Sequence, residues 1–324
     1  MRKPLYQRLL YLGMMLVRLT ALTVKKLFML RVLKYPLIIF ALLLPVAVFN
    51  KSLNSFLFGK KANDESTSSK QKTAGLNIVQ KWELPEILLE VSGIAWLDNN
   101  RFATVQDELG TIFIYNTGSG RIEKEIPFTG AGDFEGIDLV GETAWIMRSD
   151  GLLFEVSSIN QPKPVVTQYQ THLTARQNVE GLAYDRKNNR LLAAIKGPEA
   201  AQENYKGIYA FDLATKTMAK EPVYRINFES EVFSGEKKKK TNKLIQPSEI
   251  AVHPISGEIY ITDAIGPKLI VMDASGEIKS LYHMSLKDFN QAEGMSFSPD
   301  GKLFISNEGK KMPANILEVS LDKE

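Results

Sequence analysis

One unit, written five times, decides what this chain can fold into. VSGIAWLDNNRFATVQDE begins at Val91, DFEGIDLVGETAWIMRSD at Asp133, NVEGLAYDRKNNRLLAAIKG at Asn178, PSEIAVHPISGEIYITDA at Pro247 and QAEGMSFSPDGKLFISNEG at Gln291. Aligned, they share a column of Ser92, Glu135, Glu180, Ser248 and Glu293, spaced by 43, 45, 68 and 45 residues. In each unit an apolar run, a turn rich in Asp, Asn and Gly, and a second run are followed by a third (GTIFIYN, GLLFEVS, KGIYAFDL, KLIVMDA, ANILEVS). Most units end on a fourth, more polar run, such as RIEKEIPF or IKSLYHM. The β-branched and aromatic content and the short turns indicate strands. Four strands per ~40–45 residues is the period of a propeller blade.

The expected fold is therefore all-β, a five-bladed β-propeller over residues 75–324. The long step comes from an insertion around Glu229 to Leu244 that contains the run Lys237–Lys240. Those residues are too few for a blade and read as a solvated loop between the third and fourth blades. Six blades is the alternative if the insertion builds more structure, and lipid headgroups or acidic polymers are the alternative partners of the lysines. The fifth unit lacks a fourth strand, whereas LNIVQKWEL (Leu76 to Leu84) is a strand without a unit. Sending it to the last blade as the outer strand would close the ring and leave no long open edge.

Ahead of the repeats the chain changes character. Residues 1–61 hold eleven Lys/Arg and no Asp/Glu, so the net charge of +3 hides an acidic body. That body disfavours the phosphate backbone, and no nucleic-acid partner is expected. YPLIIFALLLPVAVF (Tyr35 to Phe49) is continuously apolar, and with the residues back to Leu27 it reaches the ~20 residues of a membrane span. The preceding basic residues put the N-terminus in the cytoplasm. Residues 1–50 are thus expected to be a basic leader with a retained helical signal anchor, and residues 51–74 a polar linker. The propeller would lie on the periplasmic side of the inner membrane, attached by a single pass. A second apolar stretch, Leu9 to Val24, would invert that topology if it also spans. There is no cysteine and only three scattered histidines, which excludes disulfides and thiolate metal sites and disfavours a histidine-rich one.

In a blade the innermost strand runs along the central channel and the second returns antiparallel. The start of the first and the end of the second share one face, so the units should build two rings around one mouth. The inner ring is Ser92, Glu135, Glu180, Ser248 and Glu293, with Glu249 beside Ser248. The outer ring draws on Asp107, Glu108, Arg148, Asp150, Lys196, Asp263, Asn307 and Glu308. Glycine follows the inner residue in four of the five units, at Gly93, Gly136, Gly181 and Gly294, as a crowded mouth requires. Carboxylates within a few ångströms repel by about 4 kcal/mol per pair at an effective dielectric of 20. A hard cation held by Glu135, Glu180, Glu293 and Glu308, Ca²⁺ or alternatively Mg²⁺, would remove that cost. So would neutralisation by Arg148 and Lys196, and polar residues at strand starts also serve to pin blade to blade.

The pattern E-G-(apolar)-x-(apolar) with a distal acid, clearest in NVEGLAYDRKNNRLLAAIKG and QAEGMSFSPDGKLFISNEG, resembles the SdiA-regulated family of membrane-anchored or exported bacterial β-propellers. It is also similar to calcium-dependent β-propeller phytases, in which acids at the channel mouth hold calcium. That second resemblance implies metal-ligand roles for Glu180, Glu293 and Glu308. Ser92 and Ser248 depart from it, and Lys196 stands where another unit has Glu308. The expected function is a non-catalytic envelope propeller that binds a divalent cation and a small or polymeric ligand at the mouth. Ser92, Asp107, Glu108, Arg148, Lys196, Ser248, Glu249 and Asp263 would line the ligand site. The alternatives are a metal-dependent hydrolase of phytase-like or lactonase-like type, with Glu180 or Glu293 as general base, and a scaffold that docks envelope proteins.

Overall fold

The computed structural model describes residues 75–199, 204–236, 244–310 and 312–322. The leader, the linker and the run Lys237–Lys240 lie outside them, and with them the expected anchor. Among the described residues no helix is long and apolar enough to cross a membrane.

Five antiparallel sheets follow the five units. Strand β1 (Leu76–Glu83) precedes them. The first blade is β2 (Val91–Asp98), β3 (Arg101–Gln106), β4 (Thr111–Asn116) and β5 (Arg121–Pro127). The second is β6 (Phe134–Val140), β7 (Thr143–Arg148), β8 (Leu152–Ser157) and β9 (Val165–Gln170). In the third, β10 (Val179–Asp185), β11 (Arg190–Ile195) and β12 (Tyr205–Asp212) pair in order, and β12 pairs with both β13 (Thr217–Met218) and β14 (Tyr224–Asn227). The fourth is β15 (Pro247–Val252), β16 (Ile259–Asp263), β17 (Lys268–Met272) and β18 (Ile278–His283). The fifth is β19 (Ala292–Phe297), β20 (Leu303–Asn307) and β21 (Asn315–Leu321), and its outer strand is β1, antiparallel to β21 from Leu76 opposite Leu321 to Glu83 opposite Asn315. The insertion after β14 contributes a short 3-10 turn, Glu231–Phe233, and no sixth sheet among the described residues.

The apolar faces of the sheets pack on one another in five clusters, one per seam. Ile112 and Ile114 of the first blade meet Phe134 and Phe154 of the second. Trp145 and Leu153 meet Leu191 and Tyr209. Leu192 and Ile208 meet Ile259 and Ile270. Tyr260 and Leu269 meet Met295 and Ile305. Phe304 and Ile316 of the fifth blade meet Phe102 and Phe113 of the first. Every sheet therefore buries both faces, which explains near-continuous burial in the inner strands and an exposed alternation in outer strands such as β5.

Two features fix the inner strands against each other. Gly93, Gly136, Gly181 and Gly294 each lie so close to the next strand that an added Cβ would stand 2.7–2.9 Å from a backbone nitrogen there. Three residues beyond the aligned column, a polar side chain can reach the next blade. Asp138 Oδ2 accepts from Tyr184 N (2.6 Å) and Ser296 Oγ from Trp96 N (2.8 Å). Ser296→Ala should orphan the Trp96 N–H in a buried seam and cost about 1–2 kcal/mol, read as a lower melting temperature of the full chain.

An acid ring built on five bulges

The aligned column has a structural cause that its residue types do not reveal. In every inner strand the pairing register slips at that position. The slips fall between Val91 and Gly93, Phe134 and Gly136, Val179 and Gly181, Pro247 and Glu249, and Ala292 and Gly294. Ser92, Glu135, Glu180, Ser248 and Glu293 are each the unpaired residue of a β-bulge, a device that bends a strand and re-aims a side chain. Five bulges at one level place five side chains at one channel mouth.

Three carboxyls share this mouth with one lysine. Lys196, at the end of β11, places its Nζ 3.0 Å from Glu180 Oε2. Asn178 donates its amide to the other oxygen of Glu180 from a left-handed backbone (φ 47°) that asparagine tolerates. Burial pushes the Glu135 carboxyl up to about 10, helped by the charges of Glu180, Asp133 and Glu293 and opposed by Lys196. Burial likewise pushes Glu293 up to about 8, with Lys196 opposing and Glu180 and Glu308 adding to the shift. Glu180 is also raised by burial, against the pull of Lys196. Glu293 is 8% exposed, and its Oε2 is buried without a hydrogen-bond partner.

Around this centre runs an acidic rim. Asp107 is pushed up to about 6 by burial and then by Glu90, Glu108, Glu308 and Asp133, and its Oδ1 is also unpartnered. Glu308 is raised by burial and by Glu90, against Lys310 and Lys196. Glu90, Asp133 and Asn178 were missed in the sequence. They form a second column two residues before each bulge, completed by Gln246 and Gln291, and a polar residue at that offset in all five units was the available signal.

Other expected site residues are engaged elsewhere. Arg148 forms a two-point pair with Asp150 (2.9 and 2.7 Å). Asp263 caps the turn after β16 by accepting from Ile265 N and Gly266 N, and lies 3.5 Å from buried Lys268. Ser248 donates to Ala292 O (2.6 Å) across the seam, and Ser92 to Glu90 O. Asn307 donates to Asn315. Glu249 occupies the position that is glycine in the other units. Its Oε1 turns back to accept from Leu182 N and Ile250 N (2.9 Å each), and burial pushes it well above the usual carboxylate range.

The donor set fits a resident divalent ion poorly. Both Glu180 oxygens are committed, and among the described residues no three His, Asp or Glu side chains are grouped so as to hold a metal. Of the bases that the sequence offered beside a metal to offset the acids, Lys196 pairs with Glu180 and Arg148 with Asp150.

Five antiparallel blades, four of four strands and one of five, around an acid-ringed channel define a β-propeller. The SdiA-regulated family model matches residues 67–311, and the chain belongs to that family. No curated protein matches it significantly. Among solved structures, glutaminyl cyclase of Myxococcus xanthus is similar with a TM-score of 0.54 and 17% identity, over 77% of this chain and 97% of that one. The PQQ-bound aldose sugar dehydrogenase of Streptomyces coelicolor gives 0.48 and 13%, over 77% and 98%. At 17% identity the likeness to the cyclase concerns the fold alone.

Proposed function

We propose that this protein is a binding propeller, without catalysis, whose acid-ringed mouth takes a ligand through a positively charged, hydrogen-donating group such as an ammonium or guanidinium. The observation that carries this reading is the buried, unpartnered Oε2 of Glu293 in a ring whose other titratable members are Glu135, Glu180 and Lys196. An acceptor left without a donor in a buried site costs free energy that a donating ligand recovers. The ring keeps its charge balance by pairing Lys196 with Glu180 and by holding protons on Glu135 and Glu293, and a cationic ligand takes the place of those protons. Because Glu135 and Glu293 hold their protons above the usual carboxylate range, a cationic ligand displaces protons as it binds, and its affinity rises from pH 6 to pH 8. With the leader read as an anchor, the propeller would meet such ligands outside the inner membrane.

Isothermal titration of the full-length chain with spermidine, arginine methyl ester and CaCl₂ tests this. The expected result is amine binding with proton release, weakened at least tenfold in Glu293→Gln. Binding of calcium alone, weakened by the same substitution, would restore the divalent-ion reading. An amine affinity equal in Glu293→Gln and the parent would overturn the site. The hydrolase alternative gains nothing from the hairpin-turn acids, which are spent on local partners. Thus Asp185 is paired with Arg190, and Asp300 bonds Ser298.

A further inference from the structure

The inner strands run from the acid ring to the opposite mouth, and there the channel opens into a cavity of about 590 Å³. That volume lies within the roughly 300–1,000 Å³ typical of small-molecule sites. Its walls are polarised. The inner strands succeed one another as β2, β6, β10, β15 and β19, so the third blade faces the seam between the fifth and the first. The third blade contributes Arg186 and Lys187, from the exposed 3-10 turn after β10. The opposing seam contributes Trp96 and Phe297, both half-buried and both lining the cavity.

The charges on the basic side are available and the aromatic side is fixed. Arg190 is committed, bonding Asp185 (2.8 Å) and the Tyr224 hydroxyl (2.9 Å). Among the described residues, by contrast, neither Arg186 nor Lys187 stands in an ion pair. Asp138, a carboxylate of the lining, accepts from the backbone N–H groups of Leu139 and Tyr184 and feels the charge of Arg186 without forming an ion pair with it. Phe297 is held edge-on by His253, with ring centroids 4.9 Å apart, and Trp96 is held through its backbone by Ser296. A ligand filling this space meets fixed aromatic surface on one side and two unpaired cations on the other.

We propose that this second mouth is a separate site for a planar organic anion, an aromatic ring system bearing a carboxylate or phosphate. The ring packs against Trp96 and Phe297, and the anionic group faces Arg186 and Lys187. The two mouths then select opposite charges, and this site stands whether or not the acid ring binds an amine.

The test is equilibrium titration of the full-length chain with 2-naphthoate, followed by calorimetry, with 2-naphthalenemethanol as the neutral analogue. The parent should bind naphthoate at least tenfold more tightly than the alcohol. The double variant R186E/K187E should lose that preference, and Trp96→Phe should keep it. Glu293→Gln, at the other mouth, should leave naphthoate affinity unchanged. The two charge-reversed residues are exposed, and R186Q/K187Q provides a milder version with the same expected direction. Equal affinity for the acid and the alcohol, or undiminished naphthoate binding in both double variants, would overturn the proposal.

Discussion

Gly181→Ala should lower the melting temperature by roughly 6–12 °C, the equivalent of about 3 kcal/mol in a domain of this size. The new methyl would stand 2.7 Å from Ile250 N and 2.9 Å from the carbonyl carbon of Glu249, and both are backbone atoms. No side-chain rotation relieves such a contact, so the seam between the third and fourth blades must open. Opening it also strains the bonds from Leu182 N and Ile250 N to Glu249, which cross or border the same seam. The cost arises from packing and not from backbone conformation, because Gly181 does not occupy the left-handed region. Gly130 is the control. It too has an ordinary backbone, but nothing lies within 4 Å of its would-be Cβ, so Gly130→Ala should leave the melting temperature within about 2 °C. Thermal denaturation of the two variants side by side decides the matter. A Gly181→Ala protein as stable as the Gly130→Ala protein would mean that close approach is not why glycine sits there.

That glycine column was legible in the sequence, and so was most of the architecture. Blades repeat their alternation and turn chemistry at a nearly constant period, so the units could be aligned by eye and the orphan strand at Leu76 assigned to the last sheet. The inner column was legible as a column, but its cause was not. A bulge is a property of pairing between two strands, and no residue type announces it. The fourth unit shows the consequence. Ser248 and Glu249 look interchangeable as mouth residues, yet the register slip sends Ser248 to the bulge and Glu249 to the glycine position, where its carboxyl folds back into the seam. Arg148 and Asp263 sit where strand-end geometry puts them. Each is captured by a local partner, Asp150 or the turn amides of Ile265 and Gly266, before it can serve the centre. Lys196 has no such local competitor and does reach the ring. The cavity at the far mouth was not legible, because it is assembled from inter-strand loops whose lengths vary from unit to unit.

Between pH 5 and pH 8 the ligand-free protein should lose stability as the pH rises, opposite to the trend of a protein whose carboxylates are stabilised by salt bridges. The sign follows from proton binding. Glu135 and Glu293 are held at about 10 and about 8 in the folded state, whereas in the unfolded chain they release their protons near the ordinary glutamate value. Over that interval the folded state binds more protons, and the stability that this confers, complete at low pH, drains away as the pH climbs toward the folded values. Glu293 alone accounts for on the order of 3 kcal/mol between pH 5 and pH 7.5. Glu180 adds less, because Lys196 stabilises its ionised form. Urea denaturation at half-unit intervals of pH measures the slope directly. Glu135→Gln and Glu293→Gln mimic the protonated carboxyl, so each should flatten the profile and be more stable than the parent at pH 8. The same substitutions remove acidity that a cationic ligand needs, so the variants that stabilise the empty ring should bind an amine less tightly. Stability that stays level or increases over this range would show that the mouth accommodates its ionised carboxylates without penalty, and the case for held protons that a cation replaces would fail with it.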